Sequence, residues 1–271
     1  MTATNESHGA YHRADQPFNN AALARLYDCF PFDADLPLYR ELAAAQGGHV
    51  LELACGSGRL LVPLAGAGNH VTGLDESPHM LALAREKLAA AGPVVESRAR
   101  LEVGDMRSFQ FDRRFDLAII AVKSFAYLTE RADQQRALAA VAAHLRPGGV
   151  LAIDLLNPSL AWQMEPPGSL RQDLCQYVPE MNATVVRTET AVSVDLAAQV
   201  RVIRSAYEVV ARDGAVTKRI VEWPYRYLFR FEAEHLLERT GFEIEALYGG
   251  YGREPFVSGS PLMLFLARWP R

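Results

Sequence analysis

The sequence predicts an α/β fold: a doubly wound, mainly parallel seven-stranded sheet covered by helices, interrupted after its fifth strand by an antiparallel β insertion. Three observations carry this expectation. From residue 46 onward, short apolar runs alternate with Ala- and Leu-rich stretches of helical period, the pattern of a parallel sheet wrapped by helices. Hydrophobic residues make up 49% and charged residues 22% of the 271, enough apolar side chain to cover both faces of such a sheet. Between residues 183 and 222 the apolar period changes to two, the signature of strands with one face buried.

The elements follow in order. Residues 21–27 and 37–46 read as helices, part of an N-terminal helical lid over 1–46. Strands are expected at 49–53, 70–74, 100–103, 115–122 and 150–155, with helices between them at 59–67, 78–91 and 131–145. The last of these helices runs into Arg146-Pro147-Gly148-Gly149, where proline stops it and the glycines permit a turn. The insertion spans 157–227, and three of its strands are legible, with Asp213-Gly214 as a hairpin turn. A helix at 231–240, ended by Gly241, and strands at 242–247 and 262–267 complete a core made of 47–156 and 228–271.

Composition excludes several classes. Lys and Arg total 28 against 32 Asp and Glu, a formal charge of −4, and no basic block forms a nucleic-acid footprint. No apolar run approaches the roughly 20 residues of a membrane helix, and residues 1–16 lack the apolar centre of a signal peptide. A cytoplasmic protein is expected. Three widely spaced cysteines, Cys29, Cys55 and Cys175, fit neither a disulfide framework nor a zinc site, so no metal is expected.

The strongest local signal is Val50-Leu51-Glu52-Leu53-Ala54-Cys55-Gly56-Ser57-Gly58, a strand entering a Gly-x-Gly turn that opens a helix. Glycine there lets a ligand approach the backbone and permits positive φ. A dinucleotide fingerprint requires a third glycine where this chain has Leu61. A second strand ends at Asp75, nineteen residues beyond Gly56, where a carboxylate accepts the hydroxyls of a ribose, with Glu76 beside it. Glu52 separates the candidate cofactors. A carboxylate repels the pyrophosphate of NAD and attracts the ammonium of a methionine moiety, which points to S-adenosylmethionine. Asp105 is expected to accept from the adenine amino group, with Met80 and Met106 against the ring.

The ordered set of Glu52-x-Ala-Cys-Gly-x-Gly, Asp75, Gly-Asp105-Met, Phe115-Asp116-Leu and Leu145-Arg-Pro-Gly-Gly resembles the motifs of class I, Rossmann-like, S-adenosylmethionine-dependent methyltransferases. Leu26-Tyr27-Asp28 and the insertion resemble bacterial small-molecule enzymes of that class, including sugar N,N-dimethyltransferases. The resemblance implies an antiparallel last strand, a methyl transfer that leaves S-adenosylhomocysteine, and Tyr27 reaching the methionine end of the cofactor. It also implies that the insertion forms the acceptor pocket or a homodimer contact. Ala54, Gly56, Gly58 and Ala121 join the expected cofactor set.

Methyl transfer from a sulfonium needs alignment more than a dedicated catalyst, so a base is not obligatory. Tyr11, His12, Lys123 and Tyr127 are the candidates for groups near the methyl. Phe125, Trp162, Arg226 and Tyr251 are expected at the acceptor. Nothing after the fourth strand matches an Asn/Asp-Pro-Pro-Tyr nucleobase signature or a magnesium-binding acidic cluster. A small-molecule acceptor methylated on N or O is therefore expected, with N preferred because no base declares itself. A cofactor-binding module without transferase activity and an NAD(P)-dependent oxidoreductase are the alternatives; Leu61 and Glu52 oppose the latter.

Overall fold

A computed structural model describes residue 18, residues 20–29 and residues 32–270. The helices α1 (Ala21–Asp28) and α2 (Leu36–Gln46) lead into β1 (His49–Leu53), α3 (Leu61–Gly66), β2 (His70–Asp75), α4 (Pro78–Ala91), the one-turn α5 (Pro93–Glu96) and β3 (Ala99–Val103). Next come β4 (Phe115–Ile120), a 3₁₀ turn (Ser124–Tyr127), α6 (Arg131–His144) and β5 (Leu145–Leu156). The one-turn α7 (Leu160–Gln163) precedes β6 (Arg171–Val178), β7 (Ala183–Asp195), β8 (Val200–Ala211) and β9 (Val216–Arg226). Then α8 (Arg230–Arg239), β10 (Glu243–Tyr248) and β11 (Leu262–Arg268) close the chain.

Seven strands form one sheet in the order β10-β11-β5-β4-β1-β2-β3, and β11 runs antiparallel to both its neighbours. The chain builds outward from β1 to β2 and β3, then returns to the other side of β1 with β4. The crevice beyond the carboxyl ends of β1 and β4 is thus the topological switch point, where ligands bind in open α/β sheets. Every residue of β4 is buried, because helices cover both of its faces. Successive residues feed opposite layers. Leu51, Ala118 and Ile120 pack with Phe125 and Phe265 on one side, and Val50, Leu117 and Ile119 with Tyr39 and Leu264 on the other.

Two expectations need correction. The insertion has four strands, in the order β6-β7-β8-β9. β6 is an edge strand whose residues are mostly exposed, so it lacks the apolar alternation that marks β8. The stretch from Arg146 to Gly149, expected as a helix-to-strand turn, is the start of β5. Its register shifts opposite Phe115 and Leu117, with Gly148 at φ 83°. A Cβ at Gly149 would lie 3.0 Å from the Arg146 carbonyl and 3.2 Å from that of Phe115, so the irregular edge of the sheet depends on glycine there.

Helix α1 joins the layers. Asn20 caps it by accepting from the amides of Ala22 and Leu23. Leu26 packs against Val185 and Tyr207 of the four-stranded sheet, while Ala24 meets Met80 and Leu83 of α4. The roof sheet and the parallel core therefore meet across this helix, and again where β9 packs on the 3₁₀ turn.

Candidate active site

The turn after β1 is held in an unusual backbone state. Ala54, Gly56 and Gly58 all have positive φ, at 54°, 54° and 76°. Asp75, at the end of β2, fixes this turn: its Oδ2 accepts from the Gly56 amide at 2.8 Å and its Oδ1 from the Ser77 amide at 2.8 Å. Each carboxylate oxygen keeps a second acceptor site. A Cβ on Gly56 would lie 3.1 Å from Cε of Met80, a mobile end that can yield, so the cost of a side chain is mainly conformational. Gly56→Ala is expected to destabilise the protein by about 1 kcal/mol and lower Tm by about 2–4 °C. A thermal melt without ligand checks this.

Glu52 is only 4% exposed, and its Oε2 has no hydrogen-bond partner among the described residues. Burial pushes its pKa up to about 8, against the lowering influence of the Arg59 guanidinium. Arg59 cannot fully compensate it, because that guanidinium is held by the wholly buried Asp35 at 2.5 and 2.7 Å and donates to the Phe32 carbonyl. A buried acid with an open acceptor is what a cationic ligand group requires. The methionine ammonium of S-adenosylmethionine fits that demand, and the positive-φ turn beside it lets a ligand approach the backbone.

Two cavities meet above β1 and β4. One, of about 510 Å³, is lined by Asp75, Glu76, Asp105 and Met106, with Leu74, Val103 and Phe18. The other, of about 770 Å³, is lined by Glu52, Ala121, Lys123 and Trp162 from the expected set, and by Arg171, Arg187, Glu189, Trp223 and Tyr225 from the roof. Tyr27, Ala54, Gly56, Met80, Val122, Ser124 and Tyr127 line both, so they mark the junction. Val122 and Lys123 there have φ of 55° and 58°, and such strain in non-glycine residues concentrates at functional sites.

Four expected site residues have other surroundings. Gly58 lines neither cavity; a Cβ there would lie 3.1 Å from that of Ala84, so the glycine serves the approach of α3 to α4. Phe125 is 1% exposed in the core, because the 3₁₀ turn rotates it beneath the sheet. Arg226 donates to the Thr129 carbonyl at 3.0 Å and pairs with Glu232 at 3.1 Å, anchoring β9 to the start of α8. Tyr251 lines neither cavity and donates its hydroxyl to Asp154 at 2.5 Å. Tyr11 and His12 lie outside the described residues. Asp105 lines the smaller cavity while its carboxylate accepts from the Arg107 amide and guanidinium, which leaves fewer acceptor positions for an adenine amino group.

Sequence reasoning did not find the ties that bring α1 onto the site. Asp28 accepts from Ser57, inside the Gly-x-Gly turn, at 2.5 Å and from Lys87 at 2.5 Å, and Ser77 donates to the Phe18 carbonyl at 2.6 Å. Their partners lie 29 and 59 residues apart in sequence, beyond the reach of any local pattern.

Comparison with known proteins agrees with this geometry. Residues 50–149 match a family described as a methyltransferase domain. The chain is 30% identical over 157 residues, 55% of its length, to a dTDP-3-amino-3,6-dideoxy-alpha-D-glucopyranose N,N-dimethyltransferase of Streptomyces fradiae, and covers 58% of that enzyme. It spans about half the length of most curated relatives it matches. Among solved structures, the CcbJ methyltransferase of Streptomyces caelestis superposes with a TM-score of 0.78 over 95% of this chain and 100% of that one, at 23% identity, which establishes the fold. The glycopeptide N-methyltransferase MtfA in complex with S-adenosylmethionine is 30% identical, with a TM-score of 0.55, over 89% of this chain and 96% of that one. An oxidoreductase or a non-catalytic binding module has no counterpart among these relatives. With residues 50–149 matching the methyltransferase domain and a solved methyltransferase 30% identical over 89% of this chain, the chain belongs to the class I S-adenosylmethionine-dependent methyltransferases.

Proposed function

We propose that this protein methylates the amine of a small-molecule acceptor with S-adenosylmethionine as donor. The observation that carries this reading is the composition of the junction between the two cavities: among the described residues it contains tyrosines but no carboxylate, histidine or lysine. Burial raises the pKa of both Tyr27 and Tyr127, so their hydroxyls stay protonated and serve as hydrogen-bond donors or acceptors, not as bases. An amine that reaches the site uncharged needs no base, whereas an alcohol does. The related enzymes whose names state an N-methyl product support the same choice.

Asp75 would hold the ribose hydroxyls and Glu52 the methionine ammonium, with Met80, Leu74 and Met106 against the adenine and Asp105 at its amino group. When bound, the cofactor supplies a methyl whose bond to sulfur breaks as the amine lone pair takes the carbon, leaving S-adenosylhomocysteine while the amine proton departs to solvent. Residues 47–156 and 228–271 serve as the cofactor domain, and the 157–227 sheet closes the acceptor cavity through Trp162, Trp223 and Tyr225. The chain's main contributions are orientation and the exclusion of water.

The test is S-adenosylhomocysteine release across matched panels of primary and secondary amines, alcohols and phenols. Turnover of amines well above that of the hydroxyl compounds is expected. Turnover confined to phenols or alcohols would overturn the N-methylation reading.

A further inference from the structure

The larger cavity carries several cations, and their partners differ in a way that singles out one. Arg59 is clamped by Asp35 at 2.5 and 2.7 Å, and Lys87 by Asp28 at 2.5 Å. Arg171 lies 3.2 Å from Glu189, and Arg187 forms a two-pronged pair with Asp173. Lys123 differs: its Nζ is 3.7 Å from Oδ2 of Asp154 and makes no hydrogen bond to a described residue. The ammonium shares that carboxylate, because Oδ2 also accepts from the Tyr251 hydroxyl at 2.5 Å and Oδ1 from the Lys123 amide at 3.2 Å.

The surroundings hold the ammonium in position without consuming its donors. The rings of Phe32 and Tyr251, packed edge to face on each other, lie together on one side of it, each with its centroid 5.9 Å from Nζ. The Lys123 backbone is in the left-handed region, at φ 58°, and the Asp154 carboxylate, itself fully buried, fixes it there through the amide. The side chain is 26% exposed and lines the acceptor cavity next to Val122, which belongs to the junction. A strained backbone that places in a cavity wall an ammonium with no hydrogen bond to a described residue is a binding arrangement.

We infer that Lys123, positioned by Asp154 and Tyr251, binds an acid group of the acceptor, so that the substrate is an amine carrying a carboxylate or phosphate within a few bonds of the nitrogen. This inference rests on the N-methylation reading and narrows it. Lys123 touches the acceptor, whereas Asp154 and Tyr251 are positioning residues that act through it. The other cavity cations are neutralised at close range, so the discrimination falls on this one ammonium.

The experiment uses the full chain with matched probes: each amine is supplied as a free carboxylate, as a phosphate monoester and as a neutral primary amide, and S-adenosylhomocysteine release is followed. The acid form that fits is expected to exceed the amide in kcat/KM by about 10- to 100-fold, the value of a charge-assisted hydrogen bond. Lys123→Met should bring the acid form down to the amide while S-adenosylmethionine affinity, measured by calorimetry, is retained and reports a folded protein. Lys123→Arg should restore part of the preference. Comparison of the carboxylate and phosphate arms identifies the acid. Equal turnover of acid and amide, a preference that survives in Lys123→Met, or rejection of every acid-bearing amine overturns the inference. If amides turn over without preference, N-methylation stands and only the acid subsite falls; turnover of phenols alone removes the reading beneath it.

Discussion

Asp75→Ala is expected to weaken S-adenosylmethionine binding by about 100-fold or more, because the proposed role of Asp75 gives it two charge-assisted hydrogen bonds to the ribose, at about 1.5–3 kcal/mol each. The same change releases the Gly56 amide, which has Oδ2 of Asp75 as its acceptor at 2.8 Å, so the turn that approaches the ligand loses its anchor as well. Asp75→Asn separates charge from shape. Both oxygens of Asp75 accept from backbone amides, of Gly56 and of Ser77, and a side-chain amide must turn its NH₂ toward one of them. The asparagine variant is therefore expected to bind nearly as poorly as the alanine one. Calorimetric titration of the three proteins measures this, and an asparagine variant with close to native affinity would show that charge and acceptor geometry at Asp75 contribute little.

The parallel core was legible because burial on both faces leaves continuous apolar runs such as those of β1 and β4, and because the Gly-x-Gly turn and Asp75 sit at fixed local spacings. The roof was legible only where one face is buried. β7 and β8 alternate, whereas β6 is an edge strand with little buried surface and left no period to read. The expected cofactor residues come from strand ends that sequence order identifies. The acceptor side comes from side chains whose directions are set by tertiary contacts, and there the reading was weaker. Phe125 and Tyr127 are two residues apart in one 3₁₀ turn, yet one is core and the other lines both cavities. Arg226 and Tyr251 have the chemistry of acceptor ligands, but Glu232 and Asp154 engage them first. His144 illustrates the converse: it accepts from the Phe111 amide at 3.0 Å through Nε2 and faces the Ala140 carbonyl through Nδ1, a buried structural role.

Glu52→Gln is expected to move stability and binding in opposite directions, which distinguishes a functional acid from a structural one. With its pKa pushed from an ordinary 4.5 to about 8, the folded protein retains a proton that the unfolded chain has lost. Stability from this group is therefore full below pH 4.5 and falls as pH rises through about 8, where the burial of an unsatisfied carboxylate costs roughly 3–5 kcal/mol. A neutral amide of the same shape escapes that cost, so the ligand-free variant should melt at a higher temperature than the native protein at pH 8.5, and the difference should shrink toward pH 5. In binding the sign reverses. The ammonium of S-adenosylmethionine favours the carboxylate, so the glutamine variant should lose about 10- to 100-fold in affinity, the worth of one charged hydrogen bond. At pH 7 the native protein must give up the Glu52 proton as the cofactor binds, and calorimetry in buffers of different ionisation enthalpy should register its release, while the variant registers none. An acid that only braced the fold would show the opposite stability change and no proton linked to the cofactor. Stability forfeited at Glu52 in the free protein is thus recovered when the ligand's charge arrives, the arrangement expected of a binding site built ahead of its ligand.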